Sequence, residues 1–391
     1  MRSGTFRSPG RRPERAIDLR FELRQSCVPL LDHRRLLEHL REAEADAEAI
    51  GDRTRLGWAL VYRAHGLLLS GDFAGAIDAG QRGLAIGEAL ADPGLAESAN
   101  FYLGQILHWV GDYRRGAALL RQSAALEDAV ARQGMKSKQV VNSRTFLGWC
   151  LAELGEFPEA MECTSETVAL AEAVGNAYWL VHACCGVGLV HLRRGDFAEA
   201  RAVAERAVEL CRGRDFTALW AISAAILGSA YTGLGQAAEA IQFLEQAAEV
   251  AASHGAPVLG FLGEAYVLAG RPNEAAAVAK RALALALERA ERGWQAWILR
   301  LQGDIAAGLE TPDIARAEEA YRRALGLADE LGMRPLVARC RLGLGGLLRR
   351  AGSRPEALEH LTDAAAMFDE MGMTSWRDRV EVERHLVNRS S

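Results

Sequence analysis

The chain has 391 residues, 50% of them apolar and 25% charged, with a formal net charge of −5. That length exceeds what one compact core usually holds, so several domains or an array of repeats are expected. The near-neutral balance gives no electrostatic reason to expect nucleic acid or an anionic membrane surface as a partner.

Residues 1–15 hold five arginines, two prolines and one glutamate with no apolar run behind them, which reads as a disordered basic arm and not as a signal peptide. Residues 16–373 then read as helix pairs. Ile17 to Val28 and Leu36 to Ile50, with Asp32 at the turn, form a degenerate first pair. The unit is clearest from Leu147 to Gly175, LGWCLAELGEFPEAMECTSETVALAEAVG. Gly148 sits inside its first helical run, where glycine costs about 1 kcal/mol relative to alanine, so close backbone packing is the expected reason for it. Ala160 lies opposite in the second run, with Gly155 closing the first helix and Pro158 suited to the first turn of the second.

The same pattern recurs along the chain. Its first small residues are Ala64, Gly104, Gly148, Gly188, Gly228, Gly263, Gly303 and Gly345, and their partners are Ala76, Gly116, Ala160, Ala200, Ala240, Ala275, Ala317 and Ala357. The spacing is close to 40, the signature of a helical solenoid, with two extra residues in the pair of Gly303. Asp72, Asp112 and Asp196 follow turn glycines as candidate N-caps. Residues 374–391 read as a cap and tail, in which Trp376 to Val387 form an amphipathic helix with Trp376, Val380 and Leu386 covering the apolar end.

The alternation in LGQILHWVGDYRRGAALLRQSA and VGLVHLRRGDFAEARAVAERA resembles the tetratricopeptide repeat family over residues 20–370. The resemblance implies an all-α, right-handed superhelical solenoid of about nine helix pairs with a C-terminal capping helix. The long period is similar to that of the C-terminal arrays of large bacterial signalling ATPases, adenylate cyclases and LuxR-type regulators, and the stretch RALGLADELGMRPLVARCRLGLGGLLRRAG is especially like those arrays.

Signatures of catalysis are missing from the sequence. There is no G-x-x-x-x-G-K-[ST], H-E-x-x-H, C-x-x-C or G-x-S-x-G, and Gly343-Leu344-Gly345-Gly346 falls inside a helical run. Seven cysteines without framework spacing point to reduced thiols in a cytoplasmic protein, and His182 with Cys185 on one helix face does not complete a metal site. The chain is therefore expected to be no enzyme and to need no metal or cofactor.

The resemblance places the exposed faces of the first helices on a concave surface. Residues three before, one after and four after each small residue share a face. That rule, with neighbours one or two turns away, selects His65; Phe101, Gln105 and His108 with Trp109; Asn142, Thr145 and Trp149; and His182. Rings as anchors and amides for a backbone suit an extended peptide. The expected function is thus a non-catalytic protein- or peptide-binding scaffold in bacterial signalling. The alternative is a regulatory array, belonging to or severed from a larger signalling protein, that senses a small molecule. The family's basic clamp for a terminal carboxylate needs lysine and asparagine on these faces, a combination that is missing. Two further features are a polar connection over 132–140, read as a solvated inter-repeat loop or as a lip, and a basic strip of Arg300, Arg339, Arg349 and Arg350, read as solvating arginines or as a site for a phosphate or an acidic partner.

Overall fold

In the computed structural model residues 13–27, 32–132, 140–250 and 255–389 are described, and every regular element among them is an α-helix. The order is α1 (Pro13–Cys27), α2 (His33–Ile50), α3 (Arg53–Ser70), α4 (Phe73–Leu90), α5 (Pro93–Val110), α6 (Tyr113–Arg132), α7 (Val140–Leu154), α8 (Phe157–Val174), α9 (Ala177–Arg194), α10 (Phe197–Cys211), α11 (Thr217–Gly233), α12 (Ala237–Val250), α13 (Gly255–Leu268), α14 (Pro272–Glu288), α15 (Arg292–Ala307), α16 (Ile314–Leu331), α17 (Arg334–Arg350), α18 (Arg354–Glu370) and α19 (Thr374–Arg389). These are nine helix pairs and a closing helix, an all-α superhelical repeat. Of the expected arm, residues 1–12 lie outside the described residues, and Pro13 already opens α1. Most of the expected lip also lies outside them, at 133–139.

The helix boundaries follow from local chemistry. Asp72 and Asp112 accept from the backbone N–H of Gly75 and Arg115, at 2.9 and 3.3 Å, satisfying donors that the helix itself leaves unpaired. Asp196 does not cap α10; its carboxylate is drawn instead to His191, 3.2 Å away, and Arg194. Gly71 and Gly195 close their helices at φ 85° and 96°, a conformation costly for any residue with a Cβ.

Helix pairs meet through the small residues. A Cβ on Gly148 would fall 2.3 Å from Thr164 Cγ2, and one on Gly228 would fall 2.6 Å from Leu244 Cγ and 3.0 Å from the Ala240 carbonyl oxygen. Because a backbone carbonyl cannot swing aside, Gly228→Ala is expected to cost about 1–3 kcal/mol. A urea midpoint equal to wild type would contradict this close-packing account.

The chain divides into two compact units, residues 1–106 with 122–136 and residues 107–121 with 137–391. In the first, Ile17, Ala43, Ala47 and Ala59 form a small core, edged by the Arg20–Asp46 and Arg55–Asp18 ion pairs. In the second, first helices touch the first helices of the next pair: α7 with α9, α9 with α11, and so on to α17. Second helices pack chiefly on first helices, so the first helices form the inner layer. The inner layer curls until α7 meets α17. Gly155 then faces Met371 and Pro335, Gly195 faces Trp376, and Gly293 leaves room for the Tyr113 hydroxyl, which a Cβ there would meet at 1.9 Å. In α19, Trp376, Val380 and Val387 are buried. Leu386 is 38% exposed, so Val387 takes the covering role expected of it.

Candidate functional site

The nine sequence-selected residues fall in both units. In the first, Phe101 is buried, His65 stacks on Tyr102 with ring centroids 4.7 Å apart, and Gln105 Oε1 is buried without a hydrogen-bond partner. Phe101 is thus part of the helix packing and not a free contact.

In the second unit the turns of α5, α7 and α9 bring rings together. His108 lies 5.8 Å from Phe146 and 5.7 Å from Trp149, and Trp149 lies 4.8 Å from Phe146 and 6.3 Å from His182. Trp149 is only 6% exposed and forms the floor of this cluster, not an accessible anchor. Thr145 is also a correction to the expected contact set. It is fully buried, its hydroxyl donates to the Val141 carbonyl at 2.8 Å, and its side chain packs where Gly186 lets α9 approach. Trp109, Asn142 and His182 remain half-buried.

Electrostatically the cluster is neutral. Burial holds the imidazoles of His108 and His182 far below their ordinary range, at about 3 and about 4, so both are uncharged at neutral pH. His65 in the first unit is held at about 3 for the same reason, with Arg24 adding to it. Cys150 Sγ sits 3.6 Å from His108 Nδ1, but burial pushes its thiol well above the usual range. A protonated thiol beside a neutral imidazole is no nucleophile. Trp149 Nε1 and His182 Nδ1 are both buried without a hydrogen-bond partner, which leaves a donor and an imidazole nitrogen unsatisfied on neighbouring rings.

Further rings lie on this inner layer beyond the nine selected residues. Trp179, Trp220 and Trp294 are half-buried near the starts of α9, α11 and α15, and Tyr178 is 43% exposed. Leu189 and Trp220 lie against the core of Phe261 and Leu262, and Trp294 meets Phe261 edge-on at 5.3 Å. The signal was present: an aromatic residue recurs eight or nine positions before Gly188, Gly228 and Gly303. The basic strip is not a free surface. Arg300 is paired with Glu264 and Asp304, Arg349 with Glu383, and Arg350 donates to the Ala307 carbonyl oxygen.

One carboxyl stands apart. Glu291, 2% exposed, has Oε2 buried without a partner at the start of α15, and burial raises its pKa to about 7. A raised carboxyl pKa means that the folded state holds the proton more tightly, so stability present at pH 4.5 is lost progressively towards pH 7. Glu291→Gln is expected to flatten that dependence and to stabilise the fold by about 2–3 kcal/mol at pH 8. Parallel melting-temperature profiles for variant and wild type from pH 5 to 8 would contradict it.

Residues 174–253 and 219–288 match the family model for the tetratricopeptide repeat. No curated protein sequence matches the chain. Among solved structures, NprR in complex with its cognate peptide NprX is similar at TM-score 0.62 and 10% identity, over 90% of this chain and 99% of that one. Rap protein complexed with Competence and Sporulation Factor is similar at TM-score 0.60 and 14% identity, over 82% and 98%. The Rap conjugation gene regulator of plasmid pLS20, in complex with the Phr* peptide, is similar at TM-score 0.60 and 13% identity, over 87% and 96%. At these identities the likeness is one of fold.

Proposed function

We propose that this tetratricopeptide-repeat protein is a non-enzymatic receptor in bacterial signalling, which binds an extended peptide along the first helices of its second unit. The observation that carries the reading is the set of half-buried and exposed rings on the inner helices α5, α9, α11 and α15: Trp109, Tyr178, Trp179, His182, Trp220 and Trp294. Large rings that are already held in place lose little conformational freedom on binding, which makes them effective anchors. Between them the neutral imidazole of His182, whose Nδ1 has no hydrogen-bond partner, offers a hydrogen bond suited to a peptide backbone and carries no charge preference. The fold shared with NprR and Rap, solved as complexes with NprX and Phr* respectively, supports a peptide over a folded-domain partner. The protonated Cys150 and neutral His108 support binding over catalysis.

Selection from a random heptapeptide phage library against the immobilised protein tests the reading. A convergent motif with at least one aromatic or large aliphatic position is expected, and the synthetic consensus should compete with the selected phage. Failure of any motif to converge would count against a peptide receptor.

A further inference from the structure

The interior of the second unit contains a column in which guanidinium and indole groups alternate. Arg193 lies 4.2 Å from the ring centroid of Trp297, Arg339 lies 5.0 Å from Trp297 and 4.2 Å from Trp376, and Arg379 lies 4.3 Å from Trp376 and 5.6 Å from Phe197. Cations over ring faces are attracted by the ring quadrupole, but that attraction does not neutralise their charge. Carboxylates must do so. Glu153 takes Arg193 at 2.6 Å, and Glu264 and Asp304 take Arg300, which lies 5.7 Å from Trp297. Glu264 also receives Arg339, at 3.3 Å.

Four guanidinium groups thus share three carboxylates, and the surplus falls at one end. Arg379 has no carboxylate within ion-pair distance among the described residues; its Nη2 donates at 3.2 Å to the Gly233 carbonyl oxygen. Its side chain is nevertheless open to solvent, while Arg193, Arg300 and Arg339 are enclosed. Arg339 shows the consequence of the surplus: burial and the neighbouring Arg300 bring its pKa down to about 9, against the pull of Glu264. A local excess of positive charge beside enclosed guanidinium groups is relieved by an anion, and guanidinium donors favour planar or tetrahedral oxyanions.

We infer that the open end of this column, where Arg379 lies over Trp376 and Phe197 beside Arg339, is a binding site for an oxyanion, a carboxylate or a phosphate group. This site does not depend on the peptide reading, because the column is built by α9, α10, α15, α17 and α19, and of the rings proposed for the peptide it meets only Trp294, 5.3 Å from Arg193 at the far end from Arg379. An anion there gains charge-assisted hydrogen bonds from the Arg379 donors that do not reach Gly233. It also stabilises the protonated form of Arg339.

The test follows intrinsic tryptophan fluorescence, with Trp376 as the adjacent reporter, during titration with sodium phosphate at constant ionic strength. In parallel, triglycine with a free C-terminus and triglycine amide are titrated. The wild type should give a saturable change with phosphate, with free-acid triglycine or with both, and none with the amide. A response to phosphate assigns the site to a small anion; a response to the free-acid peptide alone assigns it to a peptide carboxylate. Arg379→Gln should weaken the response roughly tenfold or more, the loss of about one charge-assisted hydrogen bond. Arg379→Lys should retain part of it, and Arg384→Gln, on the same helix but paired with Glu381, should leave it unchanged. Because the general stabilising action of phosphate is shared by all variants, only the difference between them counts. No saturable response in the wild type, or equal responses in wild type and Arg379→Gln, would overturn the inference, whatever the outcome of the peptide selection.

Discussion

Replacing Glu153 by alanine is expected to lower the unfolding free energy by about 3–5 kcal/mol, because it leaves a buried guanidinium without its carboxylate. Both oxygens of Glu153 are engaged: Oε1 accepts from Arg193 Nε at 2.6 Å and Oε2 accepts from Trp297 Nε1 at 3.0 Å, and all three residues are buried. The alanine variant would strand a charge and an indole N–H together in the interior, where neither can recover a hydrogen bond to water. Glu153 belongs to α7 and Trp297 to α15, so this carboxylate also ties the fourth pair to the eighth. Glu153→Gln, which keeps an acceptor but no charge, should fall between alanine and wild type. Guanidinium denaturation provides the measurement, and a midpoint for Glu153→Ala within error of wild type would show that the network contributes nothing.

Trp149→Ala is expected to destabilise the protein by about 3–5 kcal/mol, the range for removing a buried large aromatic side chain. The indole is almost completely enclosed and is in ring contact with His108, Phe146 and His182, so truncation opens a cavity at the junction of α5, α7 and α9. This changes how a binding defect in that variant would be interpreted. The sequence placed Trp149 on the ligand-facing side of its helix, where its loss would have weakened binding with the fold intact. In the folded chain the same loss acts first on stability. Thermal unfolding of Trp149→Ala against Trp149→Phe separates the effects: phenylalanine fills most of the volume and should recover most of the stability. Equal melting temperatures for wild type and Trp149→Ala would contradict the enclosed position.

The architecture was legible because a solenoid is specified locally. Gly148 against Ala160 and Gly228 against Ala240 each concern one helix pair, and the turn glycines act through their own backbone. A period near 40 therefore suffices to count nine pairs and a cap. Contacts between distant pairs were not legible. Glu153 and Trp297 are 144 residues apart, and their meeting depends on small rotations accumulated over the intervening pairs. Arg300 looked like a cation on a helix face because, besides Asp304 one turn on, its partner Glu264 lies 36 residues earlier on a neighbouring first helix.

The candidate site was legible in the same partial way. The face rule brought His108, Trp149 and His182 into one ring cluster, as the distances show, but it could not distinguish a ring that lines a face from one buried beneath it. Thr145 illustrates the limit: its spacing matches that of an exposed position, yet the missing side chain of Gly186 lets α9 close over it. Trp220 and Trp294 were missed because they lie eight and nine positions before Gly228 and Gly303, farther from the small residue than any position selected.

In the proposed complex the ligand lies on the inner first helices of the second unit. Titration calorimetry with the selected consensus heptapeptide measures this directly, using Tyr178→Ala and Trp220→Leu on the inner layer and Glu249→Ala on the outer face of α12. Each inner variant should lose roughly 1–3 kcal/mol of binding free energy while its circular dichroism remains that of the wild type, and Glu249→Ala should bind as the wild type does. Unchanged affinity in both inner variants, or a loss confined to Glu249→Ala, would contradict the claim.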